Sequence, residues 1–154
     1  MSTVHVDSSI RVQAAFYYEV TIDGSVISFQ ECSGLTLKND IIKYRHSNHQ
    51  SFTHEVRIGM TTLPTITFTK GIFEADSFLF DLFARTWDKA YMSHTDDNFD
   101  VTISLLDETG AVVCHWEATG CVVTSLEGPS LKSDSSAAAI EKLTIDVNTF
   151  EAKF

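Results

Sequence analysis

The sequence predicts a mainly β fold, a barrel or sandwich of about seven or eight antiparallel strands, with one α-helix over about residues 76–91 packed on it. Three observations predict it. Many short stretches alternate apolar and polar residues and are bounded by turn residues, which is the pattern of half-buried strands. One stretch alone, from Asp76 to Tyr91, repeats apolar residues at three- and four-residue steps. The β-like stretches mostly follow one another through hairpin-length links, which join antiparallel strands.

The elements follow in chain order. Residues 1–12 are polar and read as an arm, flexible or ordered by a partner. Phe16, Tyr18, Val20 and Ile22 share one face of a strand that ends at Asp23-Gly24, a dipeptide suited to the positive φ angles of a tight hairpin. Val26 to Glu31 returns as its partner, and Gly34 marks a turn or bulge. Residues 40–58 form two strands around a polar tip, with polar groups on both faces. Leu63 to Gly71 alternates Thr65, Thr67 and Thr69 with Ile66 and Phe68 and feeds the helix. Asp76 or Ser77 can cap that helix. Leu79, Leu82, Phe83 and Trp87 form its packing face, widened by Phe78, Phe80 and Tyr91 until little is left to solvate. An acidic loop, 93–100, precedes the strand Val101–Leu106, and Asp107 to Gly110 makes a hairpin turn. Ala111–Thr119 returns, Gly120 bends the chain, and extended structure resumes at Cys121. After a loop of small and polar residues, the last strand, Ile140–Thr149, turns Leu143, Ile145 and Val147 inward.

Composition narrows the function. The 154 residues suit a single domain, and 44% hydrophobic content with 11 Phe supports a sizeable core. A formal net charge of −10 without a Lys/Arg cluster argues against a nucleic-acid or anionic-membrane partner. Cys32, Cys114 and Cys121 form no CxxC pair and read as reduced, buried thiols. The N-terminal stretch lacks the charged-then-apolar order of a signal peptide, and no apolar run reaches membrane-spanning length. The expectation is synthesis in the cytoplasm.

Catalytic patterns are missing. There is no GxSxG, no HExxH, no Gly-rich phosphate loop and no supported Cys/His pair, so no enzyme is expected. His46, His49 and His54 lack the Cys or carboxylate that would complete a metal set, and nothing implies a cofactor. Asp96 and Asp97 read as a solvated turn, and Lys38, Lys43, Arg45 and Arg57 as charges around the long hairpin that can meet acidic loops of another copy.

Seven short motifs, in order and at matching spacing, resemble the tube proteins of contractile tails. These are the tube proteins of contractile phages, extracellular injection particles and bacteriocins and, more distantly, of type VI secretion. The motifs are Ile22-Asp23-Gly24; Phe29 with Glu31 and Ser33-Gly34-Leu35; Tyr44-Arg45; Ile66 to Gly71; Val101 to Asp107 with Gly110 and Trp116; Gly128 to Leu131; and Ile140 to Leu143 with Glu151. Gly59 keeps a family glycine without its proline, and Lys70 stands where the family has Arg. The resemblance implies hexameric rings that stack into a hollow tube driven by a contracting sheath. The implied partners are the chain itself, a sheath protein, baseplate or spike components and a lumen cargo, within an assembled particle that can act outside the cell. It makes Thr65, Thr67 and Thr69 a lumen-facing strand, and Tyr44, Arg45, His46, Ser47, Asn48, His49, Gln50, Ser51 and Arg57 a surface between rings or subunits. Two other readings stay open: a specialised ring joining tube to baseplate, and a carbohydrate-binding β-sandwich using Tyr17, Tyr44 and Tyr91, although the aromatics fall largely on inward positions.

Overall fold

The computed structural model describes residues 17–44, 55–74, 76–88, 98–134 and 136–154, with the backbone alone for 86–88. The strands are β1 (Tyr18–Ile22), β2 (Ser25–Ile27), β3 (Glu31–Ser33), β4 (Lys38–Tyr44), β5 (Glu55–Thr62), β6 (Thr65–Gly71), β7 (Phe99–Leu106), β8 (Val112–Glu127), β9 (Ile140–Asp146) and β10 (Thr149–Lys153), and the helix α1 is Phe78–Asp88. The fold is mainly β with one short helix.

Eight strands form one sheet in the order β2-β1-β7-β8-β9-β6-β3, with β10 also on β8. All pairings are antiparallel. The 16-residue β8 belongs to two halves of this sheet. Its first part pairs with β7 and β10, and its last part pairs with β9. Between them Gly120 takes φ +64°, and a Cβ there would lie 2.7 Å from Cβ of Asn148. The Asn148 N–H donates to the Thr119 carbonyl at 3.1 Å, so β8 and the β9–β10 strands bend side by side at one corner.

Alternation decides what lies inside. Val20, Ile22, Ile66, Phe68, Leu143 and Ile145 are fully buried, each at the inward position of its strand, and Leu79 and Leu82 of α1 close the same core. Phe68 stacks on Phe29 with ring centroids 4.8 Å apart. The Asp23-Gly24 turn has φ of 51° and 82°, as the hairpin dipeptide requires.

Three expectations are corrected. Val26–Glu31 is not one strand: β2 pairs with β1, while β3 crosses to pair with β6. Gly34 permits that crossing, because at φ +90° a Cβ would sit 2.1 Å from the Thr65 carbonyl oxygen. The helix starts at Phe78 rather than 76. The Ser77 carbonyl accepts the first intrahelical bond, from Asp81 N–H at 2.9 Å, and Asp76 caps from outside by accepting Phe78 N–H at 3.3 Å. The strand expected over Ile140–Thr149 ends at Asp146 as β9, and a further strand that was not expected, β10, follows from Thr149 to Lys153.

Candidate assembly surface

Two features of the chain face solvent in a way that its own core does not use. The first is the half-sheet β3-β6-β9 with the last part of β8. Its inner face is apolar and its outer face is polar. Register places Ser33, Thr67, Thr144 and Ser125 in one row across the four strands. The next row runs Glu31, Thr69, Lys142 and Glu127. Thr65 donates from Oγ1 to Asp146 Oδ1 at 2.9 Å. The threonine face is not evenly wet: Thr65 is exposed, Thr67 is half-buried, and Thr69 is only 7% exposed between its longer neighbours Glu31 and Lys142. Among the described residues β3 pairs only with β6, and the last part of β8 only with β9, so both outer edges carry unpaired backbone groups.

The second feature is the β4–β5 ribbon, a two-stranded sheet of its own. Every residue of β4 is exposed, and in β5 only Glu55 and Gly59 are half-buried. Register puts Ile41, Val56 and Ile58 on one face, and Ile42 and Tyr44 with Arg57 on the other. Ile58 is 73% and Met60 79% exposed. A free two-stranded ribbon is marginal in water, and apolar side chains on both faces find no cover within the described chain. Arg57 reaches Glu55 at 3.0 Å, an exposed pair of small value. Arg45, His46, Ser47, Asn48, His49, Gln50 and Ser51 lie outside the described residues, as do His54 and Tyr91.

On α1, Leu79 and Leu82 are buried and Phe83 is half-buried, whereas Phe80 is 55% exposed. The Trp87 side chain lies outside the described residues. Tyr17 and Tyr44 are exposed rather than inward, which corrects the placement of those aromatics. The three thiols are free, two buried and one half-buried. Burial, with Glu31 adding to it, pushes the Cys32 thiol up to about 12, and burial beside Asp100 does the same for Cys121. Such thiols are poor nucleophiles.

Sequence reasoning missed Lys70. It is 3% exposed, in contact with Asp76, and 3.9 Å from Glu141, its cross-strand partner in β9. The ammonium holds the Asp76 carboxyl below the usual carboxylate range. The signal was present in parity, since Lys70 stands at the inward position after Ile66 and Phe68. The pair ties the entry of α1 to the sheet.

Comparison with known proteins shows the family. The model of the T4-like virus tail tube protein gp19 family matches residues 14–151. The chain belongs to that tail tube family. Solved structures agree in fold. A chain of the cryo-EM structure of the anti-feeding prophage cap, the tube-terminating cap, is 24% identical, with TM-score 0.83 and 99% of each chain covered. A chain of the sheath–tube complex of an extracellular contractile injection system, PVC, in its extended state is 24% identical, with TM-score 0.79, covering 92% of this chain and 91% of that one. Hcp1 from Flavobacterium johnsoniae is more distant, at 12% identity and TM-score 0.51, covering 89% of this chain and 94% of its own. A search of curated proteins finds no match. This tail tube chain thus belongs to a structural family and not to an enzyme class. No helix among its described residues is long and apolar enough to cross a membrane.

Proposed function

We propose that this tail tube protein is a subunit of the inner tube of a contractile injection particle, forming hexameric rings that stack into a hollow tube. The observation that carries the reading is the half-sheet β3-β6-β9-β8. It is apolar behind, polar in front and, among the described residues, unpaired at both edges. Copies placed edge to edge would continue that sheet into a closed barrel, remove the exposed edges and turn the row Ser33, Thr67, Thr144, Ser125 toward a wet lumen. Thr65, Thr67 and Thr69 then belong to the lumen-side face, with Thr69 set back from its surface. The ribbon and the segment 45–51 contact neighbouring copies. A sheath protein would grip the acidic exterior, baseplate components would seat the first ring, and the lumen would hold a cargo. The likeness of the fold to chains from assembled extracellular particles supports a place in such a particle.

Negative-stain microscopy of the purified protein tests this. Rings of about six-fold symmetry or hollow tubes are expected. A monomer at every concentration would refute the reading, and rings that never lengthen would instead favour a specialised ring at one end of the tube. Deleting Asn48–Gln50 should leave a folded subunit that no longer stacks, and long tubes from that variant would remove this segment from the ring contact.

A further inference from the structure

The ribbon needs an acceptor, and the chain carries a surface that suits one. A cleft of about 390 Å³ runs between β2 and the segment before α1. Its walls include Val26 and Phe73, each 63% exposed, and its floor holds the Lys70–Asp76 pair. Among the described residues β2 is the last strand on its side of the sheet, and no described strand pairs with its outer edge, which suits an added strand. Charge points the same way. Segments 23–28 and 70–81 carry Asp23, Glu74, Asp76 and Asp81 against Lys70 alone. Asp23 also holds Arg85 of α1 at 3.2 Å, so among the described residues Glu74 and Asp81 are the exposed carboxylates of these segments outside an ion pair. The two strands of the ribbon invert the balance of this acidic chain, with Lys38, Lys43 and Arg57 against Asp40 and Glu55.

We propose that the cleft between β2 and the α1 entry loop seats the β4–β5 ribbon of a second copy. Ile58 and Met60 meet Val26 and Phe73, and Lys43 approaches Glu74. The two apolar surfaces cover one another, and the complementary charges select the orientation. The contact is heterologous, since ribbon and cleft are different surfaces, so it propagates from copy to copy. It rests on the tube reading above and names the partner surface of the ribbon.

Disulfide trapping in the full-length chain tests it. Ile58→Cys with Phe73→Cys in one chain should yield a ladder of covalent oligomers on oxidation, and each single variant should yield none. Met60→Cys with Val26→Cys repeats the test should Phe73→Cys fail to fold. Lys43→Glu should weaken assembly about tenfold or more, and Glu74→Lys in the same chain should restore it. Assemblies visible by microscopy without a ladder from either pair would overturn the acceptor and leave the tube reading intact. A covalent dimer formed by the Ile58→Cys single variant would mark ribbon on ribbon and overturn it as well. Wild-type protein that forms no assemblies overturns both.

Discussion

Asp76→Asn isolates the charge that holds the helix entry to the sheet. Asparagine keeps the size of the side chain and can still accept the Phe78 N–H, so the cap survives while the carboxylate is lost. Lys70 then remains 3% exposed with Glu141 at 3.9 Å as its nearest remaining carboxylate. Removing one partner of a fully buried pair costs about 3–5 kcal/mol. The Asp76 side chain is 34% exposed and Glu141 compensates in part, which lowers the expected cost to about 2–3 kcal/mol. Urea unfolding followed by far-UV circular dichroism measures it, in dilute protein at pH 7. Lys70→Met removes the cation and leaves carboxylates that water can reach, so it should shift stability by no more than about 1 kcal/mol. The double variant should then resemble Lys70→Met, giving a coupling of about 2 kcal/mol. The pH dependence has a fixed sign. The folded Asp76 carboxyl lies below its ordinary 3.8 chiefly through the hydrogen bond from Lys70, so its contribution is present above 3.8 and is lost as pH falls through the folded value. Wild type and Asp76→Asn should therefore converge in strong acid. Equal stability at pH 7, or a gap that widens as pH falls, would refute the assignment.

Three further outcomes follow from positions in the fold. Gly34→Ala puts a methyl group against the Thr65 carbonyl at φ +90° and should cost about 2–4 kcal/mol by urea melt, with faster amide exchange in β3 and β6. Phe68→Ala empties a site with no exposure and should cost about 3–5 kcal/mol, and a normal melt would remove Phe68 from the core. With the Cys32 and Cys121 thiols pushed up to about 12, these two residues of the native protein should react with a thiol reagent at pH 8 at less than about a hundredth of their rate in urea, followed by peptide mass spectrometry, and rapid native labelling of either would contradict its burial.

Local pattern carried much of the fold. The Asp23-Gly24 and Asp107–Gly110 turns, the helix and its Leu79–Leu82 face, and the inward sets Val20–Ile22, Ile66–Phe68 and Leu143–Ile145 were legible because period and turn chemistry act over a few residues. The polar groups on both faces of residues 40–58 already marked a ribbon without a core of its own. What escaped depends on distant segments. Nothing local in Val26–Glu31 says that the chain leaves one half-sheet for the other, since Gly34 is needed only because Thr65 passes close by. Thr69 alternates like Thr65, yet flanking Glu31 and Lys142 in the neighbouring strands cover it. The cleft at β2 exists only where residues 25–28 meet 73–78, some fifty positions away in sequence. Lys70 was readable from its inward parity, but a cation at such a position invites the reading that it points out.

The corner at Gly120 and Asn148 has a mechanical consequence. In an ordinary sandwich two sheets are joined by dispersion between side chains and by loops, and they can slide by small amounts. Here two neighbouring backbones, β8 and the β9–β10 pair, pass from one half-sheet into the other, cross-bonded on both sides of the bend. A push on the half that carries β6 and its threonines is therefore transmitted to the half that carries β1 and β7 through continuous covalent chain. The subunit resists shear as a folded plate with a stiff crease does.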